Sequence, residues 1–219
     1  ASKLANRHPY DRSFILNLPL DTAKLDSQYL LAVADQEVTA NRRTQIIAVL
    51  PKDDLRYARK IWVDSETFLP LKVEVYAPEG TILETVLFTD LKQDDSIASA
   101  RFMAEEAATA IQNLRSKNVD EFEKSPYQFK NLPDGFELVF FVPNSLGKAK
   151  KMVDRILVSD GFSTVSIYIE GKGKQAAEGM RTLGALNSYS KIVGNYQVTV
   201  LGEVPAKTVE RIASAFSLR

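Results

Sequence analysis

The side chains that most often act as catalytic bases and nucleophiles are almost absent from this chain. Its one histidine, His8, lies beside Pro9 in an irregular opening segment, and this position is typical of a solvated surface residue. The chain has no cysteine. Ser–His pairs, Cys–His pairs and histidine-based metal clusters therefore have almost no candidates. Disulfides and thiolate metal sites are excluded as well. We expect a protein that is not an enzyme and that uses no cofactor or metal.

Paired carboxylates are the other arrangement that could perform acid–base chemistry. They occur at Asp53–Asp54, Asp94–Asp95 and Glu105–Glu106, each at a turn or a helix edge, where a solvated charge is the more common role. The glycine-rich stretch EGKGK (170–174) is basic, but it lacks the spacing of a phosphate-binding loop. These residues therefore indicate no catalytic site.

A cluster of positive charges lies in GKAKKMVDR (147–155). It consists of Lys148, Lys150, Lys151 and Arg155. One interpretation is a solvated run of charge, and the other is a surface for an acidic partner or a phosphate-bearing headgroup. Nucleic acid is not expected, because the formal net charge is +0 and no nucleic-acid-binding motif is visible. We predict that these four residues bind a protein partner.

The charge is divided unequally along the 219 residues of the chain. Residues 1–125 carry 16 Lys and Arg against 20 Asp and Glu, whereas residues 126–219 carry 12 against 8. The composition, 45% hydrophobic and 26% charged, is typical of a soluble globular protein, and the length allows two domains. No apolar run reaches the ~18 residues of a membrane span. The charge split favours a larger acidic module followed by a smaller basic one.

Residues 28–91 have a continuous β pattern. Apolar segments are separated by turn signals at Pro51–Asp54, Ser65–Thr67 and Pro78–Gly80. Such short connections join antiparallel neighbours. We therefore predict one antiparallel meander.

Apolar and aromatic residues fall on both faces of this meander. We assign Trp62, Tyr76, Ile82, Val86 and Phe88 to one class of face. A strongly curved sheet with one face over a core or cavity would produce such a mixture, and so would aromatic residues packed under neighbouring loops. On the first interpretation these five residues border an apolar hollow that binds a ligand.

The pattern changes after the meander. Residues 96–125 are rich in alanine and glutamate, and their apolar period predicts a helix over 100–115 followed by a charged linker. A second β set begins after Pro126, in which Asp160-Gly161 marks the tip of a hairpin. The apolar positions of 206–216 predict a closing helix that covers this second set.

Four segments, taken in order, resemble the MucB/RseB family. RYARKIWVDSETFLPLKVEVYAPEGTILETVLFTDL (56–91) resembles its W-x-D-x-x-T-x-L-P-L hairpin set, and NLPDGFELV (131–139) is similar to its L-P-x-G-F segment. LVSDGFSTVSIYIE (157–170) resembles its S-D-G hairpin, and VTVLGEVPAKTVERIASAF (198–216) resembles its V-G-E-x-P ending. One such motif would be weak evidence, but four in sequence are specific.

The resemblance implies an α+β fold in two domains. The large domain would be a curved antiparallel half-barrel, similar to the lipoprotein carriers LolA and LolB, and the small C-terminal domain would be α+β. We expect the half-barrel portion over 1–95, the helix and linker over 96–125, and the partner-binding domain over 126–219. Family members begin with a longer β segment that has no clear counterpart before Leu20. We therefore expect the half-barrel to be incomplete at its N terminus.

The resemblance also implies a function without catalysis. Members of the family are periplasmic negative regulators of the envelope-stress sigma factor. The small domain contacts the periplasmic segment of a membrane anti-sigma factor and hinders its proteolysis, and envelope lipid or lipopolysaccharide releases the block. We expect a periplasmic protein whose signal peptide has been removed, and leave open whether it forms a homo-oligomer. The alternative is a periplasmic carrier of lipids or lipoproteins without a signalling partner.

Overall fold

The computed structural model describes residues 25–91, 120–143, 152–174 and 176–219. The predicted helix over 100–115 lies outside these residues, as do Lys148, Lys150 and Lys151 of the basic cluster. Within the described ranges, none of the helices has the length and apolar character needed to cross a membrane.

The first domain is an antiparallel sheet whose described strands follow one another in chain order. After a short helix α1 (Leu25–Gln28) come β1 (Tyr29–Thr39), β2 (Arg42–Pro51), β3 (Ala58–Asp64), β4 (Pro70–Tyr76) and β5 (Ile82–Leu87). Each strand pairs with the next, so that β1 and β5 are the edges of this described sheet and it does not close into a barrel. The predicted meander is confirmed.

The second domain has its own sheets. Its elements are β6 (Tyr127–Phe129), β7 (Glu137–Val142), β8 (Val153–Ser159), β9 (Thr164–Gly171), β10 (Gly179–Leu183), β11 (Leu186–Val193), β12 (Tyr196–Gly202), α2 (Ala206–Ala215) and β13 (Phe216–Leu218). The larger sheet has the order β10-β11-β12-β9-β8-β7, and β6 pairs separately with β13. None of these described strands joins the first sheet, which agrees with the predicted α+β fold.

The hairpin of β8 and β9 has the predicted tip. The strands pair from Val153–Glu170 to Ser159–Thr164, and Gly161 in the connecting loop has a φ of 98°, which favours glycine. Asp160 Oδ1 accepts the backbone N–H groups of Phe162 at 2.9 Å and of Ser163 at 2.6 Å. This side chain therefore fixes the shape of loop 160–163.

The predicted closing helix is α2, which covers the second sheet. Pro205 precedes it as the N-cap residue, and Val209, Ile212 and Ala213 are fully buried in the domain core. Burial of an aliphatic side chain such as Val209 or Ile212 contributes about 1.5–3 kcal/mol. The helix ends at Ala215, because the next residue is extended and begins β13.

Candidate functional site

Trp62 lies in β3, and its ring is covered by side chains of neighbouring strands. The indole is 4% exposed, its Nε1–H donates to Glu37 Oε2 at 2.8 Å, and Lys72 Nζ lies 4.0 Å from the ring centroid. Lys72 is the direct cross-strand partner of Trp62. A cation over the indole and an acceptor at its N–H hold the ring in place. We call the side of the sheet that carries Trp62 the indole face.

Charged and hydrogen-bonded side chains lie beside Trp62 on the indole face. Lys72 Nζ lies 2.7 Å from Glu74 Oε1, the Tyr76 hydroxyl donates to Glu74, and Lys60 Nζ lies 5.4 Å from the centroid of the Tyr76 ring. Burial and then the hydrogen bond to Glu74 raise the pKa of Tyr76 to about 12. Ile82 pairs with Tyr76 and is 50% exposed. Of the predicted ligand-binding residues, Ile82 therefore offers apolar surface on this face.

The opposite face carries an unbroken cross-strand row of β-branched residues. The row consists of Val33, Ile47, Ile61, Val73 and Val86, which are partners in successive pairs from β1 to β5. We call it the apolar row. Ile61 and Val73 are buried, whereas Val33 is 75% exposed and Val86 is 36% exposed. With strands about 4.8 Å apart, the row is roughly 19 Å long.

The strand register corrects the predicted grouping of ligand-binding residues. Ile82 and Val86 would share a face in a regular strand, because their positions differ by an even number. The observed pairs are Val75–Glu84 and Tyr76–Ile82. Leu83 is thus an extra residue in β5, so Ile82 turns to the indole face and Val86 to the apolar row. The prediction that the five residues share one face is wrong for Val86.

Phe88 lies immediately beyond the end of β5. Its backbone N–H donates to the Leu71 carbonyl at 2.8 Å, and its side chain is half-buried. Phe88 therefore continues the β4–β5 ladder, at the opposite end of β5 from Ile82.

Phe162 of the second domain packs on the middle of the apolar row. Its buried cluster comprises Leu25, Tyr29, Val49, Ile61 and Val73 of the first domain. The rings of Tyr29 and Phe162 meet edge to face with centroids 5.4 Å apart, and the Arg59 guanidinium carbon lies 4.8 Å from the Phe162 centroid. The two domains therefore share a small apolar core centred on this row.

A buried ionic network lies beside this core and joins the same two domains. Arg56 Nε donates to Asp160 Oδ2 at 2.5 Å, and the Tyr29 hydroxyl donates to the same oxygen at 2.8 Å. The Arg56 and Asp160 side chains are fully buried. Arg56 also donates to the Asp134 carbonyl at 2.5 Å and pairs with Asp53. Burial and then the Asp160 carboxylate raise the pKa of Tyr29 above its ordinary value, so the hydroxyl keeps the proton that it donates.

Further contacts cross this interface from the loop between β2 and β3, residues 52–57. Asn187 Nδ2 donates to the Tyr57 hydroxyl at 2.9 Å, the Thr208 hydroxyl donates to the Leu55 carbonyl at 2.7 Å, and Lys207 pairs with Asp54. The loop that the sequence indicates only as a turn is therefore the main element by which the first domain holds the second.

Sequence reasoning missed this interface. Arg56 and Asp160 are 104 residues apart, and the sequence indicates each of them only as part of a motif or a turn. A usable signal is present, because Phe162 is a large apolar residue at a hairpin tip, where it needs a second surface to cover it. That signal indicates a contact but does not identify the partner.

Arg155 is the member of the basic cluster that the structure describes. Its guanidinium carbon lies 5.5 Å from the Phe140 centroid and 5.7 Å from the Tyr168 centroid, and Nη2 donates to Ser166 Oγ at 3.4 Å. Arg155 therefore packs along the surface of the second sheet, where aromatic rings fix its position.

A cleft of about 600 Å³ lies over β10–β12 of the second sheet. Its lining includes Arg181, Ser188, Ser190, Gln197 and Thr199, and the hydroxyls of Ser190 and Thr199 are 3.0 Å apart. Such a lining suits a polar ligand and does not suit an acyl chain. Within the part of the chain that the structure describes, no group of three or more His, Asp or Glu is placed to hold a metal ion.

Two domain families match the chain, one after the other. Residues 2–106 match the family described as MucB/RseB N-terminal domain, and residues 121–217 match the family described as MucB/RseB C-terminal domain. The chain belongs to the MucB/RseB family. The resemblance carried by its motifs is thereby confirmed.

Curated members of the MucB/RseB family are similar to this chain over most of its length. The sigma-E factor regulatory protein RseB of Haemophilus influenzae is 26% identical over 197 residues, which are 90% of this chain and 62% of the relative. The sigma factor AlgU regulatory protein MucB of Pseudomonas aeruginosa is 29% identical over 198 residues, which are 88% and 62% of the two chains. This chain therefore spans about three fifths of the length of these two relatives.

Solved MucB structures have the same fold. MucB in complex with MucA(peri) matches with a TM-score of 0.70 at 26% identity, covering 91% of this chain and 71% of that one. The MucA/MucB complex of Pseudomonas aeruginosa also gives a TM-score of 0.70, at 25% identity, covering 91% and 68%. The likeness confirms an open half-barrel sheet followed by a small α+β domain.

Proposed function

We propose that this chain is a non-enzymatic, periplasmic negative regulator of the MucB/RseB type. It binds the periplasmic segment of a membrane anti-sigma factor and shields it from proteolysis, and envelope lipid or lipopolysaccharide releases it. The observation that carries the proposal is the likeness, over 91% of this chain, to MucB solved in complex with MucA(peri). The names of the curated relatives, both sigma factor regulatory proteins, support it.

The experiment that tests this function has two measurements on the purified chain. One is binding to the periplasmic segment of the anti-sigma factor from the same organism, and the other is the rate at which a periplasmic protease cleaves that segment. We expect binding together with slower cleavage. A chain that does not bind the segment, or that binds without slowing cleavage, contradicts the proposal.

We propose that the basic cluster contributes to this binding. Reversing Lys148, Lys150 and Lys151 to Glu should slow association with the anti-sigma segment and flatten its salt dependence, because rim charges act mainly on the encounter rate. A single surface charge is typically worth only about 0.2–1 kcal/mol, so the triple variant is needed. Association rates measured at several salt concentrations test this.

A matched control exists in the same domain. Lys130, Lys172 and Lys174 are exposed and lie outside the cluster, so reversing all three changes the net charge by the same amount. We expect this control to retain more of the association rate than the cluster variant. Equal rates for both variants would show that the domain's overall charge acts, and not the cluster.

We propose that the lipid binds the first sheet, where the apolar row, with Val86, is the better surface for an acyl chain. The exposed Ile82 and the aromatic rings of Trp62 and Tyr76 form the second candidate surface, which the Lys72–Glu74 ion pair of the indole face makes less suitable. A lysophospholipid with a brominated chain distinguishes the two, because bromine quenches an indole only at close range. We expect binding with little quenching of Trp62. Strong quenching of Trp62 would mean that the acyl chain binds the indole face.

A carrier of lipids or lipoproteins without a signalling partner is the second candidate function. The exposed ends of the apolar row favour it, since a half-barrel with an accessible apolar surface serves a carrier equally well. The anti-sigma segment decides between the two functions. If the protein binds lysophospholipid but does not bind the anti-sigma segment, it is a carrier.

A further inference from the structure

A hairpin tip is an unusual place for a large apolar side chain, unless another surface covers it. Phe162 lies in the loop between β8 and β9, yet it is 5% exposed because the middle of the apolar row packs against it. Val33 and Val86 at the two ends of the row remain exposed. The protein therefore covers the centre of its own apolar row with one side chain from the other domain.

The loop that carries Phe162 is held by contacts that require the two domains to be together. Asp160 Oδ2 accepts hydrogen bonds from Arg56 and Tyr29 across the interface, while Oδ1 accepts two backbone N–H groups within the loop. Asp160 thus links the shape of the loop to the presence of the first domain. Moving the loop away would separate a buried ion pair, so the interface favours two distinct arrangements over a continuum.

We propose that loop 160–163 is a latch, and that Phe162 and the acyl chain of an amphiphilic lipid exclude each other from the centre of the apolar row. The proposal rests on the lipid-binding part of the proposed function. The row suits an acyl chain, because its five side chains are apolar and uncharged, whereas the cleft of the second domain is polar. An acyl chain that lies along the row must displace Phe162, so lipid binding opens the domain interface.

The latch gives the first sheet an influence over the second domain. A ligand that binds only the open arrangement has an apparent affinity reduced in proportion to the open fraction. By the same linkage, whatever favours the closed arrangement weakens lipid binding, and lipid in turn weakens whatever requires the closed arrangement. Release of a partner held by the closed form follows from this coupling without any contact between lipid and partner.

Cross-linking the closed interface tests the latch directly. The chain has no cysteine, so the double variant Asp54→Cys, Lys207→Cys has just two thiols, at an exposed ion pair between the domains. A short, reducible bis-methanethiosulfonate reagent joins them, and binding of lysophosphatidylglycerol below its micelle concentration is measured before and after reduction. We expect the cross-linked protein to bind more weakly by a factor of about ten or more. Equal affinities before and after reduction would overturn the proposal.

Three further variants distinguish competition by Phe162 from side effects of the substitutions and labels. Each single-cysteine variant, labelled with a monofunctional reagent, should bind the lipid as the parent does. Phe162→Ala removes the ring but keeps the backbone N–H that bonds Asp160, and it should bind the lipid more tightly than the parent. Unchanged or weaker binding by a folded Phe162→Ala protein would overturn the competition. If no sample bound the lipid, the latch and the lipid part of the proposed function would both be wrong, whereas binding of the anti-sigma segment by the same samples tests the rest separately.

Discussion

At the residue scale, the fully buried pair of Arg56 and Asp160 is the contact most sensitive to change. Asp160→Ala removes the fully buried carboxylate with which Arg56 pairs across the domain interface. Removal of one partner from a buried ion pair typically destabilises a protein by about 3–5 kcal/mol. We expect a loss of that size in the free energy of unfolding, measured by urea titration. Asp54→Ala is the control, because Asp54 pairs with Lys207 at the exposed edge of the same interface. This variant should lower the urea midpoint of unfolding much less than Asp160→Ala does.

A second residue-scale prediction concerns Asp64, the aspartate of the W-x-D motif. Burial opposes its ionisation, but the donors Thr67 Oγ1 and Arg42 Nε, each 2.6 Å from Oδ2, outweigh it and hold the pKa of Asp64 below its ordinary value. Such a carboxylate stabilises the fold above its unfolded pKa of about 3.9, and this contribution is lost as the pH falls through the folded pKa. Unfolding titrations below pH about 4 should therefore show a shallower loss of stability for Asp64→Asn than for the parent. Identical pH dependence would contradict this role.

At the element scale, the N-terminal turn of α2 is attached to the loop between β2 and β3. The Thr208 hydroxyl is fully buried and donates to the Leu55 carbonyl at 2.7 Å. Thr208→Val has the same shape but leaves that buried carbonyl without this donor, which costs about 1–3 kcal/mol. Thr208→Ser keeps the hydroxyl and should lie closer to the parent. If the two variants were equally stable in urea, the hydrogen bond would not be what attaches the helix to the loop.

The elements themselves follow from local signals in the sequence. Turn residues divide the first meander correctly, Asp160-Gly161 marks the hairpin of β8 and β9, and the apolar period of α2 predicts its buried face. These signals succeed because each depends on neighbours a few residues away. The five-strand meander, the second domain and its closing helix were all predictable for this reason.

The candidate site was less predictable, because it depends on register and on contacts between distant residues. One extra residue, Leu83, reverses the faces of Ile82 and Val86, and alternation in the sequence does not show where such a residue falls. The aromatic character of Trp62 predicts a place beside an apolar hollow, but Lys72 and Glu37 contact its ring and its N–H, and pattern alone does not predict these contacts. Local sequence patterns do not predict the contacts across the domain interface either, because those contacts join residues that are distant in the sequence.

At the scale of the whole molecule, the two domains differ in how much core they bury. The core of the second domain is large and aromatic, whereas the described core of the first sheet is small and includes Phe162 from its neighbour. Because Phe162 completes this described core, the first sheet gains stability from the interface. The first domain should therefore unfold together with the second while the interface is intact, and before it when the interface is broken.

Trp62 makes this coupling measurable, because it is the one tryptophan of the chain and it lies in the first sheet. Its emission reports the first domain, while far-UV circular dichroism reports both. In the parent we expect the two urea transitions to coincide, as in cooperative unfolding. In Asp160→Ala the Trp62 transition should move to lower urea than the dichroism transition, because the sheet has lost the contact that attaches it to the more stable domain. Transitions that already differ in the parent, or that still coincide in a destabilised Asp160→Ala protein, would mean that the interface does not couple the domains.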